Sequence, residues 1–457
     1  MPEEVFDAIV VGAGPAGCAA ATVLARAGLE VVLVERGSAP GSKNLTGGRL
    51  YGHSMAKVFP DFATEAPLER RIAKEKISLL TGDSATTVEF ASSKLAGPHA
   101  SYSVLRAPFD QWLADQAEQA GAMLVTGIRV DDLLIADGRV HGVNAGGDEM
   151  AAKVVLLADG ALSLLARRAG LIAEPDPHHY AVGAKEVIHL GEDLVSQRFG
   201  LAPGEGCAWV FDGDCTGGHI GGGFLYTNRD SVSLGVVTTI GDLEYSELRV
   251  PDMVERLKVH PVVAPLIAGG TMVEYGGHMA LEGGFDAVPQ IVHDGALLLG
   301  DAAGFGLNTG YTIRGMDLAI ESGRLAAEAV IAAHSRDDFS AASLQQYADN
   351  LTASFVGKDL AFYRRFPSFL EQTRALFTSY PEVVEELMLG LFSVTGEPPV
   401  PLARTARASV RRVGMWQLGK DAWRGLGAIS GRGAGTGPLG GTAKRARGAT
   451  ATTGGVK

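Results

Sequence analysis

The chain has 457 residues, 46% of them apolar, with 52 acids against 40 Lys and Arg and a formal net charge of −12 at pH 7. That length buries a large core and holds two or three structural units. No run reaches 18 uninterrupted apolar residues, which excludes a helical membrane span, and three cysteines exclude a disulfide framework or the four thiolates of a [4Fe–4S] cluster.

Glu3 and Glu4 precede the first apolar run, so the start does not read as a signal peptide and a cytoplasmic protein is expected. That run, Ala8-Ile9-Val10-Val11, leads into Gly12-Ala13-Gly14-Pro15-Ala16-Gly17 and an Ala-rich stretch that predicts a helix to about Ala27. A second apolar run, 31–34, ends on Glu35 and Arg36. Strand, glycine turn, helix, strand and acid in this order form a dinucleotide-binding fingerprint. Gly12 permits the tight turn, Gly14 lets backbone reach a pyrophosphate, and Gly17 lets helix and strand pack closely. The helix N-terminus at Pro15 and Ala16 offers free N–H groups and a positive dipole end. Glu35 can accept both ribose hydroxyls and would repel a 2′-phosphate, which argues against NADP; the motif does not separate NAD from FAD.

A polar, Gly-rich loop (41–48) leads to a short helix around Met55, and strands are expected at 77–80, 87–90 and 101–105. Arg106 follows, placed to reach a phosphate or a flavin edge, with a helix from Pro108 to Gly121. Residues 123–125 resume the sheet. Residues 133–135 and 140–143 flank an Asp137-Gly138 hairpin turn, and 154–158 run into Asp159-Gly160. From about 176 to 290, aromatic strands and many glycines predict a second, antiparallel sheet inserted into the first unit. Cys207 and Cys215 could meet in a hairpin as a redox pair, against the plainer reading of two ordinary thiols. A last buried strand (296–299) ends on Gly300-Asp301, where an acid can hold a ribityl hydroxyl, and a helix is expected over 312–334. A helical, aromatic-rich section covers 340–392, and Pro398, Pro399 and Pro401 set it apart from a tail. From Arg404 onward there are eleven Lys or Arg against one acid, Asp421, a balance of +10 that leaves about −22 on the preceding 403 residues. Such a tail suits anionic lipid or an acidic partner. Its Gly, Ala and Thr content beyond Gly425 predicts disorder.

This order of motifs resembles the FAD-dependent oxidoreductases of the hydroxybenzoate-hydroxylase and geranylgeranyl-reductase type. Within them it is most similar to the electron-transfer-flavoprotein:quinone oxidoreductases of the FixC branch. The resemblance runs over residues 6–394. It rests on Leu105-Arg106-Ala107-Pro108-Phe109-Asp110, on Gly222-Gly223-Phe224-Leu225-Tyr226-Thr227-Asn228, and on His260-Pro261-Val262-Val263-Ala264-Pro265-Leu266-Ile267. It also uses Gly300-Asp301-Ala302-Ala303 with Arg314-Gly315, and Ser354-Phe355-Val356 with Lys358-Asp359-Leu360.

The resemblance implies an α/β protein: a Rossmann-type FAD-binding domain of the hydroxybenzoate-hydroxylase/glutathione-reductase type, with an inserted antiparallel β-sheet substrate domain and C-terminal helices. The expected boundaries are 1–175 with 291–337 for FAD, 176–290 (with part of 60–100) for quinone, 338–402 for a helical section, and 403–457 for a disordered basic tail. One noncovalent FAD is implied, on Gly12, Gly14, Pro15, Ala16, Gly17, Glu35 and Arg36. Arg106, Asp159, Gly160, Gly300 and Asp301 would contact it further, and Gly315 and Met316 would lie near its pyrimidine edge. The flavin is the redox centre, and no nucleophile, triad or metal set is found. Implied partners are electron-transfer-flavoprotein subunits, a separate ferredoxin-like iron–sulfur subunit, and a quinone reached by peripheral contact on the inner face of the plasma membrane. That contact is expected from apolar 261–273 and from the basic segment with Trp416 and Trp423. No nucleic-acid partner is expected, and nitrogen fixation is one setting of this branch. The alternatives are a prenyl reductase, weakened because the 42–48 loop has no cysteine, and a flavin-bearing scaffold without turnover.

Overall fold

Continuous apolar runs leave no polar face for solvent, so they fold as parallel strands covered on both sides. The computed structural model describes residues 5–42, 48–244, 246–398, 400–431 and 439. Its strands in chain order are β1 (Val5–Val11), β2 (Val31–Glu35), β3 (Gly48–Tyr51), β4 (Leu68–Leu80), β5 (Ala85–Ala91), β6 (Ser101–Val104), β7 (Met123–Thr126), β8 (Val130–Ala136), β9 (Arg139–Ala145) and β10 (Asp148–Leu157). After a crossover come β11 (Tyr180–His189), β12 (Glu205–Gly213), β13 (Gly221–Thr227), β14 (Ser231–Thr239), β15 (Thr271–Leu281), β16 (Val292–His293), β17 (Ala296–Leu298), β18 (Leu307–Asn308) and β19 (Ile313–Arg314).

Among the described residues, the first sheet has the order β16-β17-β10-β1-β2-β7, with β9 and β8 added at β10. β17, β10, β1, β2 and β7 run parallel. The helices Pro15–Arg26 and Met316–His334 share one buried core with this sheet. The second sheet has the order β15-β11-β14-β13-β12-β4-β6-β3, with β5 on β4. It extends further back than the expected insertion, because β3 to β6 belong to it, and β12 joins β4 in parallel rather than antiparallel. The 13-residue β4 has an edge to cover, and the chain re-enters beside it in the same direction after crossing the first sheet. One face of this sheet buries Trp209, Phe211, Leu225 and Leu234 against the helix Val250–Val259. The other carries Lys185, Phe224 and Tyr226.

Several expectations change. The arginine helix runs Arg106–Gln119, starting two residues early, since Pro108 in a first turn gives up no hydrogen bond. The long helix starts at Met316 because β18 and β19 occupy the preceding residues. Cys207 lies near the start of β12, while Cys215 sits in the turn beyond its end and folds back until its Sγ is 3.5 Å from the Phe211 carbonyl oxygen, about 13 Å along the strand from Cys207; both are buried and free, so they form no redox pair. The tail is not disordered throughout: helices Leu402–Val413 and Met415–Ile429 cover its first part. Pro399 and the Gly- and Thr-rich residues beyond 431, Leu439 apart, lie outside the described residues, as do 43–47 of the cysteine-free loop.

Gly323 of the long helix faces the first turn of the helix Pro15–Arg26: a Cβ there would lie 2.2 Å from the Ala16 carbonyl oxygen and 3.1 Å from the Ala20 nitrogen. Backbone atoms cannot rotate away, so Gly323→Ala is expected to cost about 2 kcal/mol and to lower the thermal midpoint of the apoprotein by circular dichroism. Gly419→Ala meets nothing within 4 Å and should leave the midpoint unchanged or raise it.

Candidate functional site

Gly12 adopts φ +104°, and a Cβ on it would lie 2.4 Å from the Ala158 carbonyl oxygen. A Cβ on Gly17 would lie 1.9 Å from the Gly12 carbonyl oxygen, so only glycine closes this turn. Gly14 instead meets nothing within 4 Å. It caps the helix Pro15–Arg26 with no side-chain partner and no acid in the first turn, leaving the helix's free N–H groups for an anion. The Glu35 carboxylate closes the same turn: Ala13 N–H donates to Oε2 at 3.1 Å and Gly37 N–H to Oε1 at 2.6 Å. Each oxygen keeps lone-pair capacity for a ribose hydroxyl.

The distant motifs converge on this turn. A Cβ on Gly300 would lie 2.9 Å from Ala16 Cβ, so the Gly300–Ala303 turn rests on the first turn of the nucleotide helix. Gly315 would place a Cβ 3.9 Å from Asp301 Oδ1, and Met316 begins the long helix there. Arg106 donates from Nε and Nη2 to the two oxygens of fully buried Asp110, both at 2.8 Å. Desolvation pulls the Arg106 pKa down, but Asp110 and then Asp301 hold it above its ordinary value. Burial raises the Asp301 carboxyl, with Arg106 opposing. Asp159 accepts from Leu165 N–H at 3.2 Å through Oδ2, while its buried Oδ1 has no partner among the described residues. Burial raises this carboxyl too, against backbone donors and Arg36. Gly160 follows it at φ +86°. An open anion-binding helix end, a ribose-ready acid and an orphaned buried carboxylate oxygen fit a dinucleotide.

Sequence reasoning missed the opposite wall. β11 brings Lys185 to it, β13 brings Phe224 and Tyr226 with ring centroids 5.4 Å apart, and β12 brings Asp212, pushed up to about 7 by burial. Arg49 pairs with both oxygens of Glu75, and the Tyr51 hydroxyl shares a 2.5 Å hydrogen bond with Thr312 Oγ1. The one available signal was the adjacent charged pair Lys185 and Glu186 in the middle of a largely apolar strand.

A second surface lies on the helix Met415–Ile429, whose polarity is reversed. Asp421, 4% exposed, accepts from Tyr380 Oη at 2.8 Å and from Gln417 and Arg424, all inside. Trp416, Trp423 and Leu426 are 85%, 74% and 61% exposed. The tryptophans therefore do not dock the tail onto the body. The 261–273 segment behaves differently from its expectation: Val263 is fully buried, and Val262, Leu266 and Ile267 pack on the second core, leaving Met272 and Val273 outside. No helix among the described residues is long and apolar enough to cross a membrane.

Known proteins resemble the chain over most of its length. Residues 7–199 match the FAD dependent oxidoreductase family, and residues 366–430 match the ETF-QO/FixC family C-terminal domain. The chain is 49% identical over 430 residues to the probable electron transfer flavoprotein-quinone oxidoreductase YdiS of Escherichia coli (strain K12), covering 94% of this chain and 100% of that protein. It is 48% identical to protein FixC of Salmonella typhi, over 93% of this chain and 99% of that one. A geranylgeranyl bacteriochlorophyll reductase-like protein from Thermoplasma acidophilum shares the fold at TM-score 0.68 and 21% identity, over 90% of this chain and 99% of that one.

Replacing Glu35 by Ala removes a charged acceptor whose hydrogen bonds are worth about 1.5–3 kcal/mol. The apoprotein variant is expected to bind FAD roughly 10- to 100-fold more weakly, as read by calorimetric titration.

Proposed function

The chain belongs to the ETF-QO/FixC family of FAD-dependent oxidoreductases, and from that premise we propose that it passes electrons from an electron-transfer flavoprotein to a membrane quinone, as the FixC-like subunit of a larger complex. The observation that carries this reading is the outward stripe of Trp416, Trp423 and Leu426 on a chain whose other half suits FAD. A lipid-dissolved acceptor must be met at a lipid-compatible face, and indole rings suit the interface between headgroups and acyl chains. Arg404, Arg407 and Arg411, all exposed on the preceding helix, would add attraction to anionic lipid. The resulting location is peripheral, on the inner face of the plasma membrane. The names of the relatives support the donor and acceptor classes.

In this reading, Gly12, Gly14, Pro15, Ala16 and Gly17 hold the pyrophosphate, with Glu35 and Arg36 at the adenosine end. Arg106, Asp159, Gly160, Gly300 and Asp301 line the middle of the cleft, and Gly315 and Met316 the pyrimidine edge. FAD, when bound, supplies both one- and two-electron transfer. The protein binds it, orients it and keeps Arg106 charged beside it. Residues 1–175 and 291–337, apart from the strands β3 to β6, form the cofactor half. The quinone half takes 176–290 together with the strands β3 to β6. Three cysteines cannot supply the four thiolates of a [4Fe–4S] cluster, so a separate ferredoxin-like subunit would bring one. Gly425-Leu426-Gly427 lies inside a helix with no strand before it, so it offers no second dinucleotide turn for NADH.

Two measurements test the proposal. After anaerobic reduction of the bound flavin, a menaquinone or ubiquinone analogue should reoxidise it rapidly, while NADH should reduce it slowly. Inertness toward quinone with reoxidation by a prenylated lipid would transfer the chain to the prenyl reductases. In the second, Trp416→Ser with Trp423→Ser should reduce cosedimentation with anionic phospholipid vesicles at least tenfold; unchanged sedimentation would remove this helix from the membrane contact.

A further inference from the structure

Two loops of the cofactor half leave neighbouring ends of the parallel sheet, where β10 pairs with β17 and Leu157 stands beside Leu298. Beyond that pair the loops are tied to each other twice. Leu299 N–H donates to the Leu157 carbonyl at 2.8 Å, and further out Ser163 Oγ donates to the Ala302 carbonyl at 2.8 Å. The second tie joins residues 139 apart in the chain. Asp159 and Gly160 on one loop, and Gly300 and Asp301 on the other, all lie between the two ties. The Ser163 hydroxyl therefore closes a frame around both carboxylates of the proposed cofactor cleft.

Ser163 holds this place against the preference of its own backbone. It adopts φ 44° and ψ 44°, the left-handed region in which a Cβ is crowded. The other non-glycine residues with positive φ among those described, Asp137 and Asp337, are exposed, whereas Ser163 is 3% exposed. Glycine would take this conformation freely, but it has no hydroxyl to reach Ala302. Neighbouring bonds hold the strained residue: Ser163 N–H donates to the Gly160 carbonyl at 3.0 Å, and Arg167 N–H to the Ser163 carbonyl at 3.0 Å. The helix Leu164–Arg168 that follows gives Leu165 N–H to Asp159 Oδ2 at 3.2 Å. The buried Oδ1 of the same carboxylate has no partner among the described residues, so one acceptor inside the frame is open to a ligand. Strain that the surroundings over-determine in this way collects at ligand sites.

We propose that Ser163 is a positioning residue of the cofactor site: its hydroxyl latches the Asp159 loop to the Gly300–Ala303 turn, so that Asp159 and Asp301 stand in their binding arrangement before FAD arrives. It acts through those two carboxylates, and the left-handed backbone is what aims the hydroxyl at Ala302. The inference rests on the FAD placement given above and not on the quinone or the protein donor.

The test compares two variants of the full chain, each prepared as apoprotein. Ser163→Ala removes the hydroxyl and keeps the strain, while Ser163→Gly removes both. Each should bind FAD roughly 5- to 10-fold more weakly than wild type in calorimetric titration. Stability should rank the other way: the glycine variant should melt above the alanine variant, because glycine relieves the left-handed backbone, yet bind FAD no better. Affinities within about twofold of wild type, or a glycine variant that both melts higher and binds more tightly than the alanine one, would reduce Ser163 to a stabilising contact and overturn the proposal. A second readout needs no variant: hydrogen–deuterium exchange at the Ser163, Leu165 and Ala302 amides of the wild-type chain. Protection already present without FAD supports the latch, and protection that appears only on adding FAD overturns it. A wild-type chain that binds no FAD would sink the cofactor placement instead, and exchange in the apoprotein would still decide the latch.

Discussion

The cofactor half depends on how closely one helix approaches its neighbours. The helix Pro15–Arg26 meets the Gly12 carbonyl through Gly17, the long helix through Gly323, and the Gly300–Ala303 turn through Ala16. At each of these points a larger residue would push the backbones apart. The closeness has a chemical effect: it sets the open N–H groups of one helix beside Asp301 and beside the start of a second helix at Met316. Motifs nearly 300 residues apart thus share one cleft because small residues let main chain touch main chain.

Charge placement in that cleft follows a consistent logic. The anion-binding helix end has no acid in its first turn, and Glu35 is tied to two backbone amides rather than left facing the phosphates. Arg106 sits on a fully buried carboxylate, so its charge is fixed and its direction set by two 2.8 Å hydrogen bonds. Across from it, burial and then Arg106 push the Lys185 ammonium down to about 7, and Glu274 opposes them.

Much of this half was legible because its signals are local. Strand, glycine turn, helix and acid occupy the first 35 residues, and Arg106 and Asp110 stand at the i and i+4 positions that a helix brings together. The second sheet was legible in content but not in extent. That β4 joins β12 in parallel depends on a crossover of more than 100 residues, which no local pattern encodes. Lys185 was passed over because alternation within a strand says that faces differ but not what each face meets. The two cysteines stand on one strand and on the turn that follows it, and the extended chain between Cys207 and Phe211 keeps them apart. The first part of the tail was misjudged by composition: the 403–457 segment read as disordered, yet Trp416 and Trp423, seven residues apart, already marked two turns of one helix face.

That helix departs from the ordinary rule for a soluble surface. An amphipathic helix normally turns its aromatic residues to the core and its charges to water. Here Asp421 and Gln417 form the inner contacts, satisfied by Tyr380 and Arg424, while both tryptophans face outward. The inversion is specified rather than accidental, because the inner carboxylate would be costly without its partners and each partner comes from a defined place. Tyr380 belongs to the helix Ser379–Phe392, whose own end exposes Leu389 and Phe392. The same buried polar contacts that hold the C-terminal helix in place therefore also hold its apolar side out. Arg404, Arg407 and Arg411 are exposed on the helix just before it, so exposed cations and exposed tryptophans occupy adjoining helices. In the proposed contact with an anionic bilayer, the acidic body would be repelled by the surface that attracts these cations, and the two opposed forces would set an orientation.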